Sequence, residues 1–241
     1  MKPEERIIVA LDVDSVEKAV ELVEQLKDHV GVFKVGLELI NVAGIQIFEI
    51  LRRAGASKFF YDVKLHDIPN TVSGAMAGIS CLNAWCVTVH ASGGSAMLKA
   101  AVETARKHST PNNPRPRILA VTVLTSINET VLQDELYVKS SVAEYVTHLA
   151  LMAHEAGCDG VIASPNEIET IRAAIPDPEF LIVTPGVRPA GSAIGDQARV
   201  MTPGEAVQRG ASLLVVGRPI VAASDPVKAA QSIAAEIASV L

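Results

Sequence analysis

The chain has 241 residues, 49% hydrophobic and 20% charged, enough apolar material for one large core in an α/β domain of ordinary size. A formal net charge of -6 speaks against a nucleic-acid binder, whose footprint is a basic face, but leaves an anionic small ligand open because local lysines and arginines decide that. Three cysteines without C-x-x-C spacing read as reduced thiols, and no apolar run reaches the roughly 18 residues of a membrane helix, so a soluble, cytoplasmic protein without a membrane partner is expected.

Short β-rich runs alternate with amphipathic stretches from the start. Ile7 to Asp12 is the first run, and Ser15 then offers an N-cap to a helix whose apolar positions are Val16, Ala19, Val20, Val23 and Leu26. The run Val32 to Val35 precedes a helical stretch predicted from about 41 to 54, closed by Gly55. Further runs lie at Lys58 to Val63, Trp85 to Val89, Ile118 to Val123, Gly160 to Ala163, Phe180 to Thr184 and Leu213 to Val216, which brings the strands to eight. Helices are predicted near 69–82, 95–107, 141–156, 166–174, 203–209 and 225–240, several of them opened by Pro69, Pro165, Pro203 or Ser224. Most runs are apolar at nearly every position, the pattern of parallel strands covered on both faces. Eight such strands interleaved with helices predict a (β/α)8 TIM barrel, an α/β fold in which one domain spans residues 1–241. A doubly wound open sheet is the alternative, but no G-x-G-x-x-G follows the first strand.

In such barrels the catalytic groups sit at the C-terminal ends of the strands. Here those ends carry Asp12, Lys34, Asp62, Lys64, His90, Thr125, Ser164, Arg188 and Arg218. Asp62 and Lys64 are two apart and would share one side of an extended strand, with Asp67 following where the chain leaves it. Carboxylates on either side favour the charged form of a lysine, so Lys64 reads as a proton donor to a carbanion rather than a Schiff-base nucleophile. His66 and His90 beside two aspartates invite a metal, but Lys34 at the end of the second strand would repel a cation, and no metal is expected.

The last quarter reads as an anion site. Gly217 and Arg218 follow the eighth strand, where barrel enzymes often hold phosphate, and an arginine can fork onto two phosphate oxygens. The Gly- and Pro-rich stretch from Thr184 to Gln197 is too long for a simple connection and reads as a lid carrying Arg188 and Gln197. Thr125 to Lys139 is a second long loop that could line the pocket opposite it.

Taken together, these motifs resemble a known family. They are Ala10-Leu11-Asp12, Phe33-Lys34-Val35-Gly36, Asp62-x-Lys64-x-x-Asp67 followed by Ile68-Pro69-Asn70-Thr71, and Val121-Thr122-Val123-Leu124-Thr125-Ser126. Pro185-Gly186-Val187-Arg188-Pro189 with Asp196-Gln197, and Val216-Gly217-Arg218-Pro219, complete the set. In this order they resemble the orotidine 5′-phosphate decarboxylases of the bacterial type, from Ile7 to the last helix. The resemblance implies decarboxylation of orotidine 5′-phosphate to uridine 5′-phosphate and CO2, the last step of de novo pyrimidine nucleotide synthesis, with neither metal nor organic cofactor. It further implies Lys64 as proton donor to C6, Asp62 beside the departing carboxylate, and Lys34 and Asp67 completing the charge network. Asp12 and Lys34 would hold ribose hydroxyls, Thr125 the pyrimidine, and Pro185, Arg188, Gln197, Gly217 and Arg218 the lid and phosphate. Family members are homodimers, so Asp67 and Thr71 would reach into the partner's site. Two competitors stay open at this stage: a sugar-phosphate decarboxylase or epimerase on the same barrel, and a non-catalytic nucleotide-phosphate sensor.

Overall fold

A computed structural model of the protein describes residues 1–189 and 201–241. Eight parallel strands close into a barrel in sequence order: β1 (Ile7–Ala10), β2 (Val32–Gly36), β3 (Phe59–Leu65), β4 (Cys86–His90), β5 (Arg117–Val121), β6 (Gly160–Ile162), β7 (Leu181–Pro185) and β8 (Leu213–Val216). Each lies on one of the eight apolar runs, and β8 returns to pair with β1 through Ile8 opposite Val215. The helices around them are α1 (Val16–Leu26), α2 (Leu37–Ala43), α3 (Ile47–Arg53), α4 (Pro69–Ser80), α5 (Ser95–Lys107), α6 (Val142–Glu155), α7 (Ile168–Ala174), α8 (Pro203–Gln208), α9 (Arg218–Val221) and α10 (Pro226–Ala238).

Two apolar shells hold the barrel. Inside it, Ile8, Ala10, Val32, Phe60, Cys86, Leu119, Val183, Leu213 and Val215 form one buried cluster. Alternate residues of the same strands, such as Ile7, Val9, Phe33, Val35, Phe59 and Ile182, pack outward against the helices. This alternation positions the site. The next inward position above Ala10, Val32, Phe60 and Cys86 falls to Asp12, Lys34, Asp62 and Thr88, so the packed floor carries a polar layer toward the C-terminal ends of the strands.

Local signals were mostly realised. Ser15 caps α1 by accepting the Lys18 N–H, and capping boxes form at Ser141 with Glu144 and Thr202 with Glu205. Four expectations need correction. The single helix expected over 41–54 is two, because the chain turns at Gly44 with φ of 68° and restarts at Ile47. The helix near 166–174 opens with a 3-10 turn over Pro165–Glu167. Asp225, not Ser224, caps the last helix by accepting the Lys228 N–H. A short helix, α9, follows β8 where none was expected, and the long loop from Thr125 holds a π-helical turn over Val131–Glu135.

Candidate active site

A cavity of about 460 Å³ opens at the C-terminal end of the barrel. That lies within the range of roughly 300–1,000 Å³ typical of small-molecule sites. Its polar side is a chain of alternating charges. Lys34 Nζ lies 2.8 Å from Asp12 Oδ1 and 3.7 Å from Asp62 Oδ2, and Lys64 Nζ lies 2.8 Å from the same Asp62 oxygen. Only 9% of the Lys34 side chain and 13% of that of Asp62 is exposed, against 30% for Lys64 and 48% for Asp12. The inner pair is thus desolvated while the outer two face the cavity opening. Buried charges of this kind persist only when each has a partner, and here each ammonium neighbours at least one carboxylate.

The backbone under this cluster is not the extended strand expected from the sequence. Tyr61 pairs with Val87 and Leu65 with Val89, so four steps along β3 match two along β4 and the excess bulges out. Within the bulge Lys64 adopts φ of 50°, a left-handed conformation that costs a non-glycine residue about 1–2 kcal/mol. Asp62 and Lys64 do meet, but through this bulge rather than through simple strand alternation. Thr88, buried on β4, fills the gap: its hydroxyl donates to Asp62 Oδ1 at 3.0 Å and accepts the Lys64 backbone N–H at 2.9 Å.

Gly36 gives Lys34 its room. A Cβ there would fall 2.7 Å from Lys34 Nζ and 3.3 Å from Asp12 Oδ1. Neither Thr88 nor Gly36 was given a role from the sequence, Gly36 appearing there only as the end of a motif. A glycine two residues after a strand-end lysine, hence on the same face, is the signal that could have found Gly36. A threonine within a strand carries no comparable mark.

The other candidates divide. Asp12, Lys34, Asp62, Lys64, Thr125, Pro185, Arg188, Gly217 and Arg218 all line the cavity. Arg188 is buried there and donates to the Val187 carbonyl, and its backbone N–H, within the Gly- and Pro-rich stretch from Thr184 to Gln197, meets the Met201 carbonyl. Gln197 and most of that stretch lie outside the described residues. Asp67 and Thr71 belong to an exposed run from His66 to Thr71 and do not line this cavity. The Asp67 carboxylate instead accepts the N–H of Ile68, a residue 66% exposed. Within one chain, then, the charge alternation ends at Lys64.

His66 and His90 sit with ring centroids 5.2 Å apart. Burial, with His66 and Lys64 adding to it, holds His90 below the ordinary imidazole range, against the opposing pull of Asp62. Cys86, on the barrel floor under Asp62, has its thiol pushed well up by burial and then by that carboxylate. Among the described residues no group of three or more His, Cys, Asp or Glu side chains is arranged to hold a metal ion. None of their helices is long and apolar enough to cross a membrane. The cavity walls away from the charges are apolar, formed by Val121, Val123, Ile162, Ala163 and Val215.

Comparison with known proteins gives this arrangement a context. Residues 5–233 match the sequence model of the orotidine 5′-phosphate decarboxylase / HUMPS family. The orotidine 5′-phosphate decarboxylase of Moorella thermoacetica is 52% identical over 238 residues, covering 98% of this chain and 94% of its own. That of Heliobacterium modesticaldum is 47% identical over 239 residues, with 99% and 98% covered. The crystal structure of the orotidine 5′-phosphate decarboxylase from Lactobacillus acidophilus matches with a TM-score of 0.84 at 42% identity, covering 96% of this chain and 98% of that one.

Proposed function

This chain belongs to the orotidine 5′-phosphate decarboxylase / HUMPS family, and we propose that it converts orotidine 5′-phosphate to uridine 5′-phosphate and CO2 without a cofactor, Lys64 supplying the proton to C6. The observation that carries this reading is the contact of Lys64 Nζ with Asp62 Oδ2, 2.8 Å apart beside an apolar cavity wall. Loss of CO2 from a ring carbon without an adjacent electron sink leaves the bonding pair localised on C6. A fixed ammonium beside that carbon stabilises the developing carbanion and then transfers a proton to it. The C6–carboxylate bond breaks, the pair stays on C6, CO2 departs, the Lys64 N–H bond becomes the new C6–H bond, and solvent reprotonates the amine.

The remaining residues divide the substrate among them. The wall from Val121 to Thr125 suits a flat pyrimidine, and the Asp12–Lys34 pair suits ribose hydroxyls. Arg188, Gln197, Gly217 and Arg218, with Pro185 beside them, suit the phosphate, whose binding energy can be used at the reacting end. The reading includes a homodimer in which Asp67 and Thr71 of each chain serve the partner's cavity. In its support, both stand exposed beside a cavity of their own chain that they do not line. It also includes a cytoplasmic enzyme of pyrimidine synthesis, for which the three unbridged thiols speak.

The test is a direct assay: loss of orotidine 5′-phosphate absorbance and release of stoichiometric CO2 on adding the enzyme in EDTA. Full activity in EDTA is the expected result. Activity abolished by EDTA and restored by Mg2+ would favour a metal-dependent sugar-phosphate reaction on the same barrel and refute the proposal.

A further inference from the structure

Lys64 is held in an unfavourable backbone conformation next to a carboxylate, and the groups that keep it there decide where its ammonium points. The β3–β4 ladder does not do so, because the bulge between Tyr61 and Leu65 carries Lys64 out of register. The Lys64 N–H finds its acceptor in a side chain, the Thr88 hydroxyl, at 2.9 Å. That hydroxyl has one proton, and it is given to Asp62 Oδ1 at 3.0 Å. Asp62 is thereby fixed in rotation: Oδ1 faces Thr88, and Oδ2 faces both Lys64 Nζ at 2.8 Å and Lys34 Nζ at 3.7 Å. One buried hydroxyl ties the backbone of the lysine to the carboxylate that its own ammonium contacts, closing a ring Lys64 N–H, Thr88, Asp62, Lys64 Nζ.

We infer that Thr88 is a positioning residue for the decarboxylation, one that touches no substrate and acts by holding Lys64 and Asp62 in the proton-donating arrangement. This rests on the reading of Lys64 as proton donor. Without the hydroxyl, the Asp62 carboxylate is free to turn, and the Lys64 N–H is left without its acceptor, which favours relaxation of the bulge and displacement of the ammonium. Displacement of that kind at a reacting centre acts on turnover far more than on affinity, because the residues assigned to the phosphate, Arg188 and Arg218, are not part of this ring.

The test compares Thr88→Val, which keeps the shape and removes both hydrogen bonds, with Thr88→Ser, which keeps the hydroxyl. Turnover, KM and the affinity for uridine 5′-phosphate are measured for each, with Lys64→Ala as reference. In Thr88→Val, kcat is expected to fall by about a hundredfold, as for an ångström-scale misplacement, while uridine 5′-phosphate affinity stays within about threefold. Thr88→Ser is expected to restore kcat to within about threefold of the parent. If Thr88→Val does not fold, Thr88→Cys takes its place, since a thiol is a weak donor and acceptor in the same position. Unchanged kcat in the hydroxyl-free variant, with Lys64→Ala inactive, overturns the role of Thr88 and leaves the proton donor standing. So does a parallel loss of kcat, nucleotide affinity and thermal stability that Thr88→Ser fails to repair. An active Lys64→Ala overturns the underlying reading instead.

Discussion

Replacing Lys34 by methionine keeps most of the side-chain volume and removes a charge that is nine-tenths buried between two carboxylates. At an effective dielectric constant of about 20, the contacts of 2.8 and 3.7 Å correspond to gross attractions of about 6 and 4 kcal/mol. Most of that is offset by the cost of desolvating the lysine. Breaking a buried pair by removing one partner typically costs about 3–5 kcal/mol. Two features move this case to the low end. Asp12 is half exposed and can rehydrate, and Asp62 keeps Lys64 and the Thr88 hydroxyl. We expect a net loss of about 2–3 kcal/mol, or a Tm lower by about 4–12 °C for a chain of this length. Circular dichroism at one protein concentration and neutral pH reads it. An unchanged or raised Tm in Lys34→Met would refute the reasoning, because it would mean that the two carboxylates do not depend on this ammonium.

Three further outcomes follow from the same geometry. Gly36→Ala places a methyl 2.7 Å from Lys34 Nζ in a backbone conformation alanine can adopt, so kcat/KM should fall by about tenfold or more while Tm moves by only a few degrees; equal losses in both would point to general damage. Arg218→Ala removes a charge-assisted anchor and should raise KM by about 10- to 150-fold, with phosphate-free uridine binding unaffected; an equal loss for uridine would remove Arg218 from the phosphate site. His90 titrates below the ordinary imidazole value because it is buried and faces His66 and Lys64, with Asp62 opposing. Between its folded pKa and about 6.5 the unfolded chain therefore binds more protons, so stability falls as pH drops through that window. Denaturant titrations from pH 7 to pH 5 should show a shallower loss in His90→Gln than in the parent, and identical slopes would sink the assignment.

The barrel itself was legible in the sequence because a strand covered on both faces must be apolar at almost every position, and most of the eight runs are so. The charged residues at the strand ends were legible for the complementary reason, since nothing in a packed barrel calls for Lys34 or Asp62. What escaped notice depended on pairing rather than on residue type. The segment from Phe59 to Leu65 holds no glycine or proline to mark a break, and its bulge appears only when its length is set against β4. The helical periodicity of residues 41–54 runs through Gly44, so the break there was hidden by apolar residues that face the core on both sides of it. Asp67 is near Lys64 in sequence, yet the turn into α4 sends it to the surface. Thr88, 24 residues from Lys64, reaches it only because β3 and β4 are neighbours.

Lys64→Ala tests the proton-donor claim most directly, with turnover of orotidine 5′-phosphate and affinity for uridine 5′-phosphate measured on the same preparation. Turnover is expected to fall by at least about a thousandfold, since both the proton donor and the nearest positive charge are lost, while nucleotide affinity changes by less than about tenfold. Retained turnover would contradict the assignment of Lys64 as the acid, whatever the fate of the surrounding charges.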